Sequence, residues 1–490
     1  MQSEERAAQE EYWKQHSDGA TVEDMMLDSQ AREIDRLDRP EVLAYLGPIG
    51  GKRVVELGAG IGRFTGELAA SATRVTAYDF MEPLVAKNRE QHGHLANLEF
   101  VVEDVTATER PAQSTDVVFS NWLLMYLSDR EVEILASKML IWLSVGGICF
   151  FRESCFQQSG DRRRKQNPSH YRNPRDYFRL FDAAHVDMPD GKQMRFELVG
   201  CRCIESYVAV KKNQNQICWK WKKVVKNPQD NGEFRHFLDN YQYAVNGILR
   251  YERMFGEGFI STGGLHTTKD ILKRLRLQPG ERVLDIGCGI GGGDFYMCQE
   301  YGVHVHCIDL SVNMFMIATE RAQRVRCSAS FEVADITKRE FEDESYDVLY
   351  SRDTILHIHN KPELFCKLLK MLKPGGRLLI TDYCRSSDSP SERFAEYIQQ
   401  RNYDLHSVEA YGKMLSDAGF VDVVAEDATG LFISSVQREL GVAERERNDF
   451  VAEFSEQDFE AVVSGWKEKL DRATAGEQCW GLFMARRATN

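Results

Sequence analysis

The sequence predicts an α/β protein with two Rossmann-like domains in tandem, each built on a mostly parallel sheet with helices on both faces. Three observations support this fold class. A glycine-rich turn at 287–293 follows a short apolar run and precedes a helical stretch. A carboxylate, Asp309, ends the next apolar run about twenty residues later, as in Rossmann-like βα units. The same pattern occurs in the first half of the chain, at 54–79, and 490 residues suffice for two domains.

The glycine turn and the acid after it indicate a ligand site. The apolar run 283–286 has the composition of a buried strand, and it breaks at Gly287 and Gly289. Glycine allows the sharp turn and leaves bare backbone against which a ligand can lie. Asp309 stands where an acid that holds ribose hydroxyls is expected. We therefore predict a site for a nucleoside cofactor.

The acids near the glycine turn indicate which class of nucleoside cofactor the site binds. Asp285 lies two residues before the first glycine, where it would disfavour the pyrophosphate of a dinucleotide. A cationic, amino-bearing cofactor suits this acid better. A third apolar segment leads to Asp335 and Ile336, an acid and a hydrophobe suited to an adenine amine and ring. Glycine turn, ribose acid and adenine acid in this order resemble the S-adenosylmethionine-dependent methyltransferases of the Rossmann-like class.

The first half of the chain repeats each of these features. Its apolar run 54–57 leads into a glycine turn at 58–62, and Asp79 and Asp104 take the places of the two acids. Two later pairs of segments also align, 120–126 with 351–357 and 145–147 with 374–376. A repeat of this length is a whole domain.

The domain boundaries follow from the repeat and from a polar stretch between its copies. That stretch contains Pro228 and several Asn, Asp and Gly residues, which favour a linker. The predicted parts are an N-terminal domain at 1–222, a linker at 223–233 and a C-terminal domain at 234–490.

Composition and charge exclude several classes of function. The formal net charge of −13 argues against a nucleic-acid partner. The start of the chain has no apolar core of a signal peptide, and no run approaches the length of a membrane span. The twelve cysteines form no Cys-x-x-Cys pair, and Cys149 and Cys307 lie in apolar strands. We expect a cytoplasmic protein with buried thiols, without disulfides and without a metal.

A histidine is the candidate base in the second domain. Methyl transfer from a sulfonium is an in-line displacement, so alignment and exclusion of water matter most. An amine acceptor is mostly protonated at neutral pH, and a group must take its proton. His357 follows the fourth strand at the cofactor end of the sheet. A single histidine is more often structural, but this position favours catalysis. The first domain has Tyr126 at the equivalent place, so it must remove the proton of the acceptor amine in a different way.

Tyrosines and cations in the second domain suggest the substrate. The tyrosines outside its core strands are Tyr241, Tyr243, Tyr251, Tyr383, Tyr397 and Tyr403. Aromatic faces attract methylated ammonium groups, although any one of these rings is more often a packing residue. Together with Arg401 and Lys469 they fit a substrate with a cation at one end and an anion at the other.

A basic loop in the first domain is a candidate anion site. The run 162–165 follows Ser159 and Gly160. Most of its charges have the ordinary role of a solvated surface. One arginine turned inward, with Ser159, Gly160 and Tyr171, would bind a phosphate.

Longer stretches extend the resemblance over essentially the whole chain, which resembles the plant-type phosphoethanolamine N-methyltransferases. The stretches are 56–67 (ELGAGIGRFTGE), 120–129 (SNWLLMYLSD), 151–156 (FRESCF), 212–219 (KNQNQICW), 285–296 (DIGCGIGGGDFY), 351–358 (SRDTILHI) and 381–385 (TDYCR). The resemblance implies three successive methylations of phosphoethanolamine, through N-methyl- and N,N-dimethylphosphoethanolamine, to phosphocholine for phosphatidylcholine synthesis. It also implies that the first domain performs the first methylation and the second domain the later ones.

The resemblance implies roles for individual residues. Tyr243 and His357 would form a catalytic pair that closes over the substrate, with Asp353 beside it to hold the amine. Residues implied to bind S-adenosylmethionine are Gly58, Arg63, Asp79, Asp104, Val105, Asn121, Ile260, Ser261, Gly287, Asp309, Asp335, Ile336 and Arg352. Residues implied to bind the phosphobase are Ser154, Ser159, Gly160, Arg164 and Tyr171 in the first domain, and Gln242, Tyr243, Tyr251, Tyr383, Tyr397, Arg401, Tyr403 and Lys469 in the second.

Two alternatives stay open at the level of sequence. The chain could methylate another small acceptor, such as a glycine-type amine or a sterol. One half could instead be a pseudoenzyme that regulates or supports the other, although both halves keep the glycine turn and both acids. In either case we expect small-molecule partners, no nucleic acid, no membrane span and a monomer.

Overall fold

The computed structural model describes residues 4–17, 20–163, 167–230, 234–386 and 389–489. The chain divides into two units, Met1–Asn231 and Gly232–Asn490. This division falls inside the predicted linker 223–233, but the linker prediction is wrong at its start. Residues 223–226 continue the last strand of the first unit, because Lys223 is buried and its Nζ donates to the carbonyl of Leu143 at 2.7 Å.

The first unit is an α/β sheet with helices on its faces. Its strands are β1 (Arg53–Leu57), β2 (Arg74–Asp79), β3 (Leu98–Val102), β4 (Thr115–Asn121), β5 (Leu143–Ser154), β6 (His185–Asp187), β7 (Gln193–Cys203) and β8 (Gln216–Lys226). Its helices are α1 (Glu4–His16), α2 (Val22–Met26), α3 (Ala31–Leu46), α4 (Thr65–Ser71), α5 (Glu82–His92), α6 (Asp129–Trp142), α7 (Pro174–Ala183) and α8 (Glu205–Lys211), with a 3-10 turn at Leu124–Tyr126. The sheet order is β7-β8-β5-β4-β1-β2-β3, and β6 pairs with β7.

The second unit repeats this plan. Its strands are β9 (Arg282–Ile286), β10 (His304–Asp309), β11 (Ala329–Val333), β12 (Tyr346–Arg352), β13 (Leu372–Arg385), β14 (Val421–Asp427) and β15 (Gln478–Arg486), in the order β14-β15-β13-β12-β9-β10-β11. Its helices are α9 (Phe234–Phe237), α10 (Val245–Phe255), α11 (Gly264–Leu275), α12 (Gly292–Tyr301), α13 (Val312–Val325), α14 (Lys361–Met371), α15 (Glu392–Gln400), α16 (Val408–Asp417), α17 (Thr429–Arg445), α18 (Arg447–Glu453) and α19 (Glu456–Thr474). A π-helical turn at Leu238–Gln242 follows α9, and a 3-10 turn at Ile355–His357 follows β12.

The central strands of both units are parallel and buried. β1 pairs in parallel with β2 and β4, as β9 does with β10 and β12. Strands covered on both faces are expected to be apolar without alternation, and Val283 and Leu284 on β9 are fully buried. The core of the second unit packs such strand residues against helix α14 through Phe365 and Leu368. The predicted pair of Rossmann-like α/β domains is confirmed.

The register of the strands brings the predicted site residues to one edge. Ile286, the last residue of β9, pairs with Ile308 of β10 and Ser351 of β12. Residues that end these strands or follow them, including Gly287, Asp309 and Arg352, therefore meet at the carboxyl edge, where ligands of such sheets bind.

Among the described residues, no helix combines the length and the apolar character needed to cross a bilayer.

Candidate active site

A cavity of about 880 Å³ opens at the carboxyl edge of the second sheet. Residues predicted from the sequence that line it are Tyr243, Ile260, Ser261, Gly287, Asp309, Asp335, Ile336, Arg352, Asp353 and His357. The fold therefore brings the predicted cofactor residues of this unit together with its predicted catalytic residues.

The glycine turn forms a cradle that a side chain would fill. Gly287 has φ +81°, and a Cβ at this position would overlap the side chain of Thr354. The amide of Gly289 donates to Asp309 Oδ2 at 3.0 Å, and the amide of Ser311 donates to Asp309 Oδ1 at 2.9 Å. Burial raises the pKa of Asp309 to about 6. The carboxyl group is thus held rigidly beside the turn, where it can accept hydroxyl donors.

Two buried acids lie under this turn. Burial and the neighbouring charge of Asp294 raise the pKa of Asp285 well above its usual range. Asp285 lines the cavity, and its side chain is hydrogen-bonded to that of Asp294. Positive charge beside a buried pair of acids favours their charged form, and a cationic amino group would supply it. The cradle and this acid fit the S-adenosylmethionine that the sequence predicts.

Tyr243 and His357 contact each other in the wall of the cavity. The Tyr243 hydroxyl lies 3.3 Å from His357 Nε2. The Asn313 side chain, at the start of α13, donates to the carbonyls of Asp239 and Tyr243 at 2.9 Å each. It thereby fixes the π-helical turn that carries the tyrosine.

Burial, together with the positive charges of Arg401 and Lys361, lowers the pKa of His357 to about 4. The imidazole is therefore neutral at ordinary pH, and His357 Nδ1 has no hydrogen-bond partner among the described residues. A neutral imidazole can accept a proton, as the predicted role requires.

Aromatic rings and cations extend the site beyond the pair. The ring of Tyr403 lies 5.1 Å from that of His357 and 5.9 Å from that of Tyr397. The Arg401 guanidinium lies 5.7 Å from the Tyr397 ring. Gln242 Nε2 is 3.5 Å from the Tyr243 hydroxyl. These contacts place an arginine and three phenols within one cluster.

Lys469 is a second buried cation in this unit. Its Nζ donates to the Tyr383 hydroxyl at 3.4 Å and lies 4.2 Å from the centre of the Trp466 ring. Tyr251 packs against the same tryptophan, with ring centres 5.7 Å apart. Burial lowers the pKa of Lys469 to about 8. A lysine in these apolar surroundings is suited to bind an anion, because little water separates the two charges.

Asp353 is held by groups from three distant parts of the chain. Its Oδ1 accepts from Trp480 Nε1 at 2.7 Å and from Thr381 Oγ1 at 3.1 Å, and its Oδ2 accepts from the amide of Thr262 at 3.2 Å. Neither Trp480 nor Thr262 carried a signal of function in the sequence, because nothing local links them to Asp353. The neighbouring Arg352 donates to the carbonyl of Thr262 at 2.6 Å.

The first unit has the same cofactor edge, but its cavity is only about 80 Å³. Predicted residues that line it are Gly58, Arg63, Asp79, Asp104, Val105 and Asn121. The amides of Gly60 and Met81 donate to the Asp79 carboxyl at 2.9 Å each, as their counterparts do to Asp309. Burial also raises the pKa of Asp79 to about 6. The predicted ribose acid therefore has the same backbone partners in both units.

Helix α1 occupies part of this first cavity. Arg6 Nε donates to Asp104 Oδ2 at 3.0 Å, and its guanidinium lies 5.5 Å from the Phe80 ring. Burial raises the pKa of Asp104, but Arg6 and the Thr106 amide together bring it below its usual value. The predicted adenine acid is thus paired with an arginine that sequence reasoning missed, because α1 showed no feature beyond that of a covering helix.

Arg63 lies in a buried ion-pair network. Its Nε donates to Asp35 Oδ1 at 2.6 Å and its Nη2 to Asp38 Oδ1 at 2.9 Å. Arg63 Nη1 is buried and has no hydrogen-bond partner among the described residues. This nitrogen is a free donor in the wall of the cofactor cavity.

The predicted phosphobase residues of the first unit are partly brought together. Ser154 Oγ and Ser159 Oγ are 3.2 Å apart. A Cβ on Gly160 would overlap the carbonyl of Leu27, so only glycine fits there. The Tyr171 hydroxyl accepts from Asn167 Nδ2 at 2.7 Å. Arg164 lies outside the described residues.

Comparisons with known proteins agree with this architecture. Families described as "Methyltransferase domain" match residues 54–147 and 277–419. Phosphoethanolamine N-methyltransferase 3 of Arabidopsis thaliana is 57% identical over 486 residues, which cover 99% of both chains. Phosphoethanolamine N-methyltransferase of Triticum aestivum is 55% identical over 483 residues, which cover 98% of this chain and 95% of that one.

A solved structure also matches across both units. Phosphoethanolamine N-methyltransferase 2 of Haemonchus contortus, in complex with phosphomonomethylethanolamine and S-adenosylhomocysteine, superposes with a TM-score of 0.75 at 28% identity. The match covers 93% of this chain and 99% of that one. Since the plant proteins match over nearly their full length and each half has the cofactor edge, the chain belongs to the plant phosphoethanolamine N-methyltransferases, which are S-adenosylmethionine-dependent enzymes with two methyltransferase domains.

Proposed function

We propose that this chain converts phosphoethanolamine to phosphocholine by three successive N-methylations, in support of phosphatidylcholine synthesis. One observation carries the proposal: in the second unit, a partly buried neutral imidazole, a partly buried arginine and a buried lysine belong to one site. Arg401 is close enough to lower the pKa of His357, and its charge also reaches Lys469. A substrate with an amine at one end and a phosphate at the other matches this arrangement.

The amine end of the substrate would lie against Tyr243, His357 and Asp353. When bound, S-adenosylmethionine supplies an electrophilic methyl group on a sulfonium. His357 takes the proton of the acceptor ammonium and so frees the nitrogen lone pair, while Tyr243 closes the site against water. The Asp353 carboxylate, fixed by Trp480 and Thr381, stabilises the positive charge that the methylated nitrogen acquires.

The phosphate end would lie against the cations and phenols. Lys469 and Arg401 balance its charge, and the hydroxyls of Tyr251, Tyr383, Tyr397 and Tyr403, with the amide of Gln242, donate to its oxygens. In the first unit, Ser154, Ser159, Gly160, Arg164 and Tyr171 take this role. A non-phosphorylated amine would leave the buried lysine without its counter-ion, which disfavours ethanolamine as an acceptor.

The cofactor residues of both units have parallel roles. Asp79 and Asp309 would accept the ribose hydroxyls, and Asp335 with Ile336 would hold the adenine in the second unit. Arg63 would donate its free Nη1 to the carboxylate of the cofactor. The remaining predicted contacts are Gly58, Asp104, Val105, Asn121, Ile260, Ser261, Gly287 and Arg352.

We further propose that the two units divide the steps. The first unit has Tyr126 where the second has His357, so the two sites handle the proton differently. The first unit would make the monomethyl product, and the second would add the next two methyl groups. We also propose a cytosolic monomer, since cysteines such as Cys149 and Cys307 are buried within strands, where the reducing cytosol would keep them as thiols.

Products of full-length variants test this division. With phosphoethanolamine and labelled S-adenosylmethionine, Asp79→Ala should block the first methylation but still convert the monomethyl substrate. His357→Ala should accumulate the monomethyl product. Asp309→Ala is the matched control for Asp79→Ala and should behave like His357→Ala. Loss of all three steps in a folded His357→Ala enzyme would contradict the division.

Alternative acceptors test the substrate class in the same assay. Free ethanolamine and glycine should give little product compared with phosphoethanolamine. Equal turnover of the non-phosphorylated amines would exclude a phosphobase enzyme.

A further inference from the structure

Gln216, the first residue of β8, is buried at 2% exposure and bonded at both ends of its amide. Its Oε1 accepts from Arg152 Nε at 3.0 Å and from Trp122 Nε1 at 2.8 Å. Its Nε2 donates to Ser159 Oγ at 2.8 Å. Gln216 is not among the residues predicted to bind the cofactor or the phosphobase.

The direction of this amide follows from its partners. A guanidinium and an indole nitrogen only donate, so the amide oxygen must face Arg152 and Trp122. The amide nitrogen must then face Ser159, whose oxygen accepts its hydrogen. The Ser154 hydroxyl donates to the carbonyl of Gln157 at 3.1 Å, so the Ser159 hydroxyl is left to donate to Ser154 Oγ, 3.2 Å away. Gln216 therefore fixes the orientation of both serines, and a phosphate oxygen of the substrate beside them would accept from the same hydroxyls.

The same chain of hydrogen bonds continues to the cofactor cavity. Arg152 is fully buried, and its Nη1 donates to Asp38 Oδ2 at 2.6 Å. The other oxygen of Asp38 accepts from Arg63 Nη2 at 2.9 Å. Both arginines also lie over the Trp122 ring, at 4.9 Å for Arg63 and 4.5 Å for Arg152. Arg63 and Trp122 line the cofactor cavity, so a continuous network joins that cavity to Ser159.

In place of this network, the second unit has a different hydrogen-bonded pair of side chains. Gln216 pairs with Ser154 across β8 and β5, and Trp480 pairs with Tyr383 in the equivalent strands β15 and β13. In the second unit the tryptophan, Trp480, is on β15, between β14 and β13, and it donates to Asp353. In the first unit the tryptophan is Trp122, at the position of Asp353, and it donates to Gln216. The position of the indole in one unit is therefore the position of its hydrogen-bond acceptor in the other.

We propose that Gln216 is a positioning residue of the first unit's acceptor site. It fixes the orientation of Ser159 and, through it, of Ser154, the two serines predicted to bind the substrate phosphate, and it links Ser159, through Arg152 and Asp38, to the cofactor cavity. This role rests on the proposed function, in which the first unit methylates phosphoethanolamine. Because the second unit has a tryptophan instead, the effect belongs to the first methylation only.

Gln216→Glu in the full-length enzyme tests the role with little change of shape. The carboxylate still accepts from Arg152 and Trp122, but its second oxygen now accepts the Ser159 proton and adds negative charge. We expect the KM for phosphoethanolamine to rise about tenfold, with a smaller change in kcat. Turnover of the monomethyl substrate by the second unit should be unchanged in the same preparation, which shows that the protein is folded.

A matched variant controls for the added charge. Gln193→Glu lies at the far end of the paired strands, opposite Lys226, and should leave both KM values unchanged. An unchanged KM in Gln216→Glu, or an equal loss of both activities, would overturn the proposal. An equal loss of both activities would show that Gln216 supports the structure of the whole protein.

A double-mutant cycle shows whether Gln216 acts through Ser159. Ser159→Ala should raise the KM for phosphoethanolamine, and adding Gln216→Glu should raise it no further. Additive effects would overturn the proposed route. Failure of the proposed function itself is detected separately, because Asp79→Ala would then leave the first methylation intact.

Discussion

At the residue scale, the predicted site of the second unit contains side chains whose pKa values differ from the ordinary ones. Lys469 is buried among aromatic rings, and this burial lowers its pKa to about 8, although the charges of Glu439 and Asp353 oppose the shift. Its charge can therefore be lost within the pH range in which such an enzyme is assayed. A phosphate site that uses this lysine should weaken as the pH rises.

The pH dependence of kcat/KM tests this role of Lys469. A lysine with a lowered pKa is charged below about 8 and neutral above it, so kcat/KM for the monomethyl substrate should fall above about pH 8. In Lys469→Arg the cation stays charged, and this decline should disappear. The ionisation of the substrate amine affects both enzymes equally, so it cancels in the ratio of the two profiles. Parallel profiles for both enzymes would show that Lys469 does not contact the phosphate.

The neutral state of His357 is a second residue-scale feature, and the sequence could not predict it. An exposed histidine has a pKa of about 6.5. The lowered value here comes from burial, from Arg401 at the end of α15 and from Lys361 at the start of the next helix, α14. The sequence indicated the position of the histidine but not its protonation.

At the element scale, the glycine turns after β1 and β9 shape the two predicted cofactor sites. Gly58 has φ +70° and Gly287 has φ +81°, a backbone region that side chains rarely adopt. A Cβ on Gly58 would come within 3.1 Å of Leu123 Cβ, and one on Gly287 would overlap Thr354. The local strain of a non-glycine residue there is roughly 1–3 kcal/mol. Sequence pattern alone predicted both turns, because their geometry is local.

Single alanine variants of these glycines should remove cofactor sites one at a time. By calorimetry, the unaltered chain should bind two S-adenosylhomocysteine molecules and Gly287→Ala only one. Gly58→Ala should weaken binding at the first site, by less because its clash is milder. Gly430→Ala, where a Cβ meets open space, should leave both sites intact. If Gly287→Ala still binds two molecules with unchanged affinity, the second turn is not a cofactor cradle.

At the scale of the whole molecule, the chain carries the same architecture twice with different acceptor sites. The acids Asp79 and Asp309 accept the same two backbone donors in each unit. The acceptor side differs, because Tyr126 replaces His357 and Gln216 replaces Trp480. Shared cofactor binding with distinct acceptor residues is what a division of successive methylations requires.

Mixing two variants tests whether the division works through a released intermediate. His357→Ala should make the monomethyl product, and Asp79→Ala should use it. A mixture of the two full-length proteins should therefore produce phosphocholine from phosphoethanolamine, although neither variant does so alone. Absence of phosphocholine, when each variant performs its own step, would contradict passage of the intermediate through solution.

The sequence by itself determined the features that depend on neighbouring residues. It predicted two α/β domains, their glycine turns and the acids that follow, since strands, turns and their order are local. It failed at 223–226, where pairing with β7 and the buried Lys223 override a polar composition. The roles assigned to the site residues stay predictions.

Only the tertiary structure decided which side chains meet. The pairs Arg6 with Asp104, Trp480 with Asp353 and Gln216 with Ser159 join residues far apart in sequence. The same packing buries His357 and Lys469 and so shifts their pKa values. Burial and long-range hydrogen bonds arise when distant elements pack together, and no local pattern in the chain encodes which partner each side chain will find.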